Sequence, residues 1–128
     1  MKRSIAIAAA LGAALALVGG PGALAKDGDV RKSGACSDSS TWKLKLSDEN
    51  SKIETEFEVD QNVTGDDWKV VLKKDGEVFF RGTKTTKGRS GSFEVRKLVN
   101  DGSGTEKITG HARNVDTDEL CHGHASWK

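Results

Sequence analysis

Short segments in which apolar and polar residues alternate follow one another from residue 41 to the end of the chain. The clearest is residues 52–59, where every second side chain is predicted to face a core, and residues 41–46 have the same period. The two segments are predicted to form a hairpin with Leu44 and Phe57 on its inner face. Its outer face is predicted to be a ladder of opposite charges, in which Lys43 and Lys45 lie opposite Glu54 and Glu56.

Residues 68–81 are predicted to form the central hairpin of the fold. Lys74-Asp75-Gly76 supplies a turn in which the glycine can adopt a positive φ. A three-residue turn would place Val70 opposite Phe80 and Lys73 opposite Glu77. The resulting inner face consists of Trp68, Val70, Leu72, Val78 and Phe80. On the outer face, Val71 and Phe79 would then lie opposite each other.

Three further strands are predicted. Residues 92–97 place Phe93 and Val95 inward, with Leu98 closing one end of the fold, and residues 106–113 and 120–127 form a last hairpin. Residues 82–91 are predicted to be a flexible basic loop. Residues 26–40 are predicted to be a flexible N-terminal segment, because they are rich in Asp, Lys, Gly and Ser.

Seven strands separated by short turns predict an all-β domain over residues 41–128, an antiparallel two-sheet sandwich. The inward positions give the expected core. In that core Trp42 and Trp68 are predicted to be buried, and Trp127 less so because it is next to the last residue.

The first 25 residues are predicted to be a secretory signal peptide. Met1-Lys2-Arg3 is positive, residues 5–18 are rich in Ala and Leu, and Ala23-Leu24-Ala25 fits a cleavage site. The apolar stretch is shorter than the roughly 20 residues of a membrane-spanning helix, so a secreted, extracellular domain without a membrane span is expected. In an oxidising compartment the only two cysteines, Cys36 and Cys121, are predicted to form a disulfide.

Two motifs resemble immunoglobulin and fibronectin type III domains. Trp68-x-Val70-x-Leu72 is similar to their buried-tryptophan strand, and Ile108-x-Gly-x-Ala112-x-Asn114 is similar to the penultimate strand of fibronectin type III modules. Gly110 departs from that pattern, which usually has a larger side chain there. The chain also resembles small, uncharacterised secreted proteins of actinobacteria over nearly all of the predicted mature chain, through motifs in residues 36–44 and 91–96. These resemblances imply the sandwich fold and bring no activity with them.

The three histidines are candidate metal ligands. Antiparallel pairing of the last two strands would place His111 beside His122, and His124 lies on the same outer face. Three imidazoles could then hold Zn²⁺ or Cu²⁺ with an open fourth position. The other interpretation is three exposed histidines on a strand surface, since no Cys or acid joins them at a recognised spacing.

The same outer face is the candidate binding surface. Val71 and Phe79 are predicted to form its apolar centre, with Glu77 as the only acid, surrounded by Lys69, Lys73, Arg81, Lys107 and Arg113. The formal net charge of the whole chain is only +1, so the overall charge does not indicate a type of partner. The distribution of charge over this face is the better guide to a ligand.

Catalysis is not expected, because the sequence contains no Gly-x-Ser-x-Gly motif and no paired acids or reactive thiol at a recognised spacing. Nucleic-acid binding is not expected either, because exposed aromatic residues do not alternate with the basic ones. The sequence predicts a monomeric, non-catalytic binding module for an anionic envelope component or a protein. The alternative is a secreted protein that binds Zn²⁺ or Cu²⁺ through the histidines.

Overall fold

Eight β-strands in two antiparallel sheets of four make up the part of the chain that the computed structural model describes, residues 28–128. The predicted signal peptide, residues 1–25, lies outside the described residues. The strands are β1 (Val30–Ala35), β2 (Thr41–Glu49), β3 (Lys52–Asp60), β4 (Asp67–Lys74), β5 (Glu77–Thr85), β6 (Ser92–Asn100), β7 (Glu106–Asn114) and β8 (Leu120–Trp127). Within residues 28–128 there is no helix of the length and apolarity needed to cross a membrane.

The strand order is β1-β2-β3-β6 in the first sheet and β5-β4-β7-β8 in the second. The predicted all-β, two-sheet sandwich is therefore confirmed, with eight strands instead of seven. The additional strand, β1, lies in the segment predicted to be flexible and pairs along its whole length with β2. The domain thus begins before residue 41. The sequence of β1 does not predict a strand, because its only large apolar residue is Val30 and polar residues do not alternate with apolar ones.

The core lies between the sheets and contains nearly all the residues that alternation assigned to it. Trp68, Phe57 and Ile53 are fully buried, and Leu44 pairs with Phe57 as predicted. On the outer face Lys45 lies opposite Glu56 as predicted, whereas Lys43 lies opposite Glu58.

Two predictions near the ends of the sandwich fail, the first of them in part. Trp42 and Trp68 are buried as predicted, but Trp127, although more exposed than Trp68, is buried as well as Trp42, at 7% against 9% exposed. The indole Nε1 of Trp127 donates a hydrogen bond to Asp101 Oδ2 at 3.2 Å, which ties the last residues of the chain to the β6–β7 loop. Leu98, predicted to close the sandwich, is 51% exposed.

The central hairpin has a tighter turn than predicted. Asp75 and Gly76 both have positive φ values, 50° and 86°, and Lys74 lies opposite Glu77, which is the two-residue type I′ arrangement. A β-bulge at Phe79 then shifts the register.

This register corrects several predicted neighbours. Val70 lies opposite Gly82 instead of Phe80, and Lys73 lies opposite Val78 instead of Glu77. Val78, predicted to be in the core, is 39% exposed, and Phe80 is half-buried against the core cluster. The predicted loop of residues 82–91 is also shorter and more ordered, because β5 continues to Thr85 and Thr86 is buried.

One end of the sandwich is fixed by the disulfide and a buried carboxylate. Cys36 and Cys121 are joined as predicted, with their Cα atoms 4.4 Å apart. Next to them, the carboxylate of Glu119 accepts hydrogen bonds from Asp38 N (3.0 Å), Ser40 N (2.9 Å) and Ser40 Oγ (2.7 Å). These bonds attach the β1–β2 connection to the β7–β8 loop, about 80 residues away along the chain.

Candidate functional site

The outward residues of the second sheet form three rows that run across its four strands. The middle row consists of Arg81, Val71, His111 and His122. The row on one side consists of Thr83, Lys69, Arg113 and Leu120. The row on the other side consists of Val78, Lys73, Thr109 and His124. We call the surface formed by these three rows the basic face.

Three cations of the basic face are unpaired. Lys69, Lys73 and Arg81 are exposed, and none of them has an ion-pair partner within residues 28–128. Arg113 differs, because its Nη1 lies 2.9 Å from Asp118 Oδ1. Lys107, predicted to belong to the same ring of cations, lies beyond the third row, and its backbone N–H donates to Asp75 Oδ1 at 2.8 Å.

The three rows contain no acidic residue. On the same side of β4, the first residue, Asp67, lies beyond them and accepts a hydrogen bond from Thr85 Oγ1 at 2.6 Å. The charges of the three unpaired cations therefore add over the centre of the face. The outer face of the first sheet differs, since its charges compensate one another: Lys45 lies 3.5 Å from Glu56, and Arg96 lies 3.4 Å from the same carboxylate.

Val71 is the apolar residue at the centre of the face, while Val78 and Leu120 lie at two of its corners. The sequence predicted that Phe79 would lie opposite Val71, but the bulge places Arg81 opposite it. Phe79 is half-buried and packs against the core cluster, so it does not supply the exposed aromatic contact that was predicted. Val71 is half-buried between Arg81 on β5 and His111 on β7, and these residues together with Lys73 line a shallow depression.

The histidines are partly as predicted. His111 lies directly opposite His122, with ring centroids 5.9 Å apart in an edge-to-face arrangement, while His124 lies opposite Thr109 in the next row. Burial lowers the pKa of His111, and the positive charges of His122, Lys73 and Arg113 lower it further. His111 is half-buried and neutral at pH 7, so it adds to the uncharged surface beside Val71 in the shallow depression.

The predicted metal site does not form. The chain from residue 28 to 128 holds no group of three or more His, Cys, Asp or Glu side chains placed to bind a metal ion. Two adjacent imidazoles remain, in a cationic environment that disfavours an additional positive ion.

Sequence reasoning did not assign Thr83, Thr109, Leu120 or Val78 to the basic face. It placed His111 on the same outer face, but not as part of the binding surface. Thr83 lines a second depression beside Lys69, and its position depended on the bulge. His111 was considered only as a ligand, although the pairing of β4 with β7 makes it a direct neighbour of Val71. That pairing joins strands far apart in sequence, and no local pattern reports it.

A scan against protein-family models finds no match for this chain, and a search of the curated proteins finds no similar one. The function is therefore inferred from the geometry of the basic face.

Proposed function

We propose that this protein is a secreted, non-catalytic binding module that holds an anionic polymer of the cell envelope on its basic face. The observation that carries the proposal is the set of three unpaired cations, Lys69, Lys73 and Arg81, around the half-buried Val71. An anion approaching this surface meets no acidic side chain within the three rows, and positive charges within a Debye length of about 8 Å at physiological salt reinforce one another.

Secretion is supported by two independent features. The disulfide between Cys36 and Cys121 is compatible with an oxidising, extracellular location. The N-terminal sequence has the basic, apolar and small-residue regions of a signal peptide. A secreted domain with a rigid sheet and a basic outer face is suited to contact polymers at the cell surface.

The test is binding of a phosphodiester wall polymer, poly(glycerol phosphate), measured by fluorescence anisotropy at several salt concentrations. We expect binding to weaken steeply with salt, and Arg81→Glu to weaken it by about tenfold at low salt. The matched control is Lys43→Glu, an equal change of charge on an exposed residue of the other sheet's outer face. Binding that is insensitive to salt, or that is weakened equally by both substitutions, would contradict the proposal.

A protein partner with an acidic surface is the alternative ligand for the same face. Envelope fractions digested with proteinase K separate the two, because a polymer remains after digestion and a protein does not. We expect the purified protein to bind the digested fraction as well as the untreated one. Loss of binding after digestion would show that the ligand of the basic face is a protein.

A further inference from the structure

The unpaired cations of the basic face lie in three successive rows. Outward residues that follow one another on a strand are separated by about 6.6 Å, so the rows of Lys69, Val71 and Lys73 succeed one another at this distance. Arg81 lies in the middle row, opposite Val71. The Cα atoms of Lys69 and Lys73 are thus about 13 Å apart along β4, so the two lysines can contact separate anions at opposite ends of the face.

Two shallow depressions occupy the space between these cations. One is lined by Val71, Arg81, Lys73 and His111, and the other contains Val71 and Arg81 together with Lys69 and Thr83. Arg81 and Val71 are therefore shared, and each depression has its own lysine.

We infer that the basic face recognises a linear polyanion that carries one negative group per ring-sized or polyol-sized repeat, and that three successive negative groups contact Lys69, Arg81 and Lys73. The carbon skeletons of the two repeats between them lie in the depressions, against the side chain of Val71. This inference rests on the proposed function and specifies the repeat of the ligand. Uronate polysaccharides and polyol phosphates both have this chemistry.

The spacing disfavours two other kinds of anion. In inorganic polyphosphate, neighbouring phosphates share an oxygen, so successive charges are closer together than successive rows and no carbon skeleton is present to contact Val71. An acidic peptide has charges on flexible side chains, and fixing them costs about 0.5–1.5 kcal/mol for each immobilised side chain. A chain with one anion per repeat avoids both disadvantages.

Isothermal titration calorimetry with the purified protein and oligomers of defined length tests the inference. The probes are mono-, tri- and hexagalacturonate, which have one carboxylate per ring, and glycerol phosphate as the monomer and the trimer of the phosphodiester form. Tripolyphosphate and hexaglutamate are the comparison anions. We expect the galacturonate trimer, the glycerol phosphate trimer or both to bind at least about tenfold more tightly than the corresponding monomer, because linked contacts reinforce one another. The same trimer should also bind at least about tenfold more tightly than either comparison anion. The hexamer should add little.

Variants locate the contacts. Lys69→Ala and Lys73→Ala should weaken trimer binding by similar factors, Arg81→Ala should remove most of the advantage of trimer over monomer, and Val71→Thr should weaken the galacturonate trimer without affecting tripolyphosphate. Lys43→Ala on the other sheet should change nothing.

Three results would overturn the inference. If monomer and trimer bind equally, or tripolyphosphate binds as tightly as the trimers, the protein recognises charge without a repeat, and the proposed function survives. If hexaglutamate binds most tightly, the ligand is an acidic protein segment. If none of the probes binds at low salt, the proposed function itself fails.

Discussion

The indole ring of Trp42 on the first sheet lies against Gly123 on the second, and a Cβ added to Gly123 would overlap the ring. The neighbouring pair repeats the arrangement, since a Cβ on Gly110 would be 2.6 Å from the ring of Phe57. Gly110 and Gly123 lie directly opposite each other on β7 and β8. The two glycines form a flat site into which two aromatic rings of the other sheet pack.

Substitution of Gly123 by alanine should therefore destabilise the fold. The added methyl group forces the buried Trp42 ring to move, and overpacking of this kind costs about 1–3 kcal/mol. Urea unfolding, followed by tryptophan fluorescence, measures the change. Ser126→Ala, at an exposed position of the same strand, is the control and should be nearly neutral. Equal stability of the two variants would show that Trp42 has room to move.

These glycines also show where sequence reasoning stops. Alternation identified the inward side of β3, β4 and β7, because burial of one face imposes a period of two. Alternation could not explain why residue 110 is a glycine. The space that its side chain would occupy is filled by the ring of Phe57, which belongs to the other sheet. The predicted register of the central hairpin was wrong for a related reason. The bulge at Phe79 goes with the packing of this ring against the core cluster, and the turn residues alone permitted either loop length.

Buried carboxylates were the other features that the pattern did not report. Glu106 and Glu119 are 4% and 6% exposed, yet acidic residues near loops are ordinarily solvated. Their partners come from distant segments: Glu119 accepts hydrogen bonds from Asp38 and Ser40, and Glu106 lies 2.8 Å from Lys74 Nζ. Contacts between segments that are distant in sequence form only in the folded domain, so the local sequence pattern cannot predict them.

Removal of the Glu119 carboxylate should loosen the end of the sandwich near the disulfide. Glu119→Ala leaves the N–H groups of Asp38 and Ser40 without their acceptor, and we expect a loss of about 3 kcal/mol in the free energy of unfolding. Asp116→Ala, at an exposed position of the same loop, is the control. Amide hydrogen exchange at residues 38 and 40 should accelerate in the first variant only. Unchanged protection there would contradict the role of Glu119.

The contact between Glu106 and Lys74 predicts a dependence of stability on pH. The hydrogen bond from Lys74 and that from the Gly102 N–H lower the pKa of Glu106 below its ordinary value of 4.5. The same contact raises the pKa of Lys74 above 10.5. Because the carboxylate is favoured in the folded state, its contribution is present above pH 4.5 and is lost as the pH falls through the lower folded value. The contribution of Lys74 is present below pH 10.5 and is lost as the pH rises through its folded pKa.

Glu106→Gln should thus be less stable than the wild type at neutral pH and should lose less stability on acidification. Urea midpoints measured between about pH 7 and pH 3 test this. Glu77→Gln, at an exposed position of β5, should follow the wild-type curve. A constant difference between Glu106→Gln and the wild type over the whole range would show that the pair does not contribute through its charge.

The last prediction concerns Glu94 on β6, where the opposite sign is expected. Glu94 lies opposite Glu58, and the partial burial of its side chain, which is 45% exposed, raises its pKa, as do the negative charges of Glu56 and Glu58. Arg96, whose Nη2 lies 3.8 Å from its carboxylate, compensates only in part.

A carboxyl whose pKa is raised on folding costs stability once it is ionised, so this cost is absent at low pH and appears as the pH rises through the folded pKa. Glu94→Gln removes the charge and should raise the melting temperature at pH 7, with the gain disappearing near pH 3. Calorimetric melting of the wild type, Glu94→Gln and the control Glu77→Gln at both pH values measures it. If Glu94→Gln melts below the wild type at pH 7, the attraction of Glu94 to Arg96 outweighs the repulsion from Glu56 and Glu58, and the ionised Glu94 stabilises the sheet.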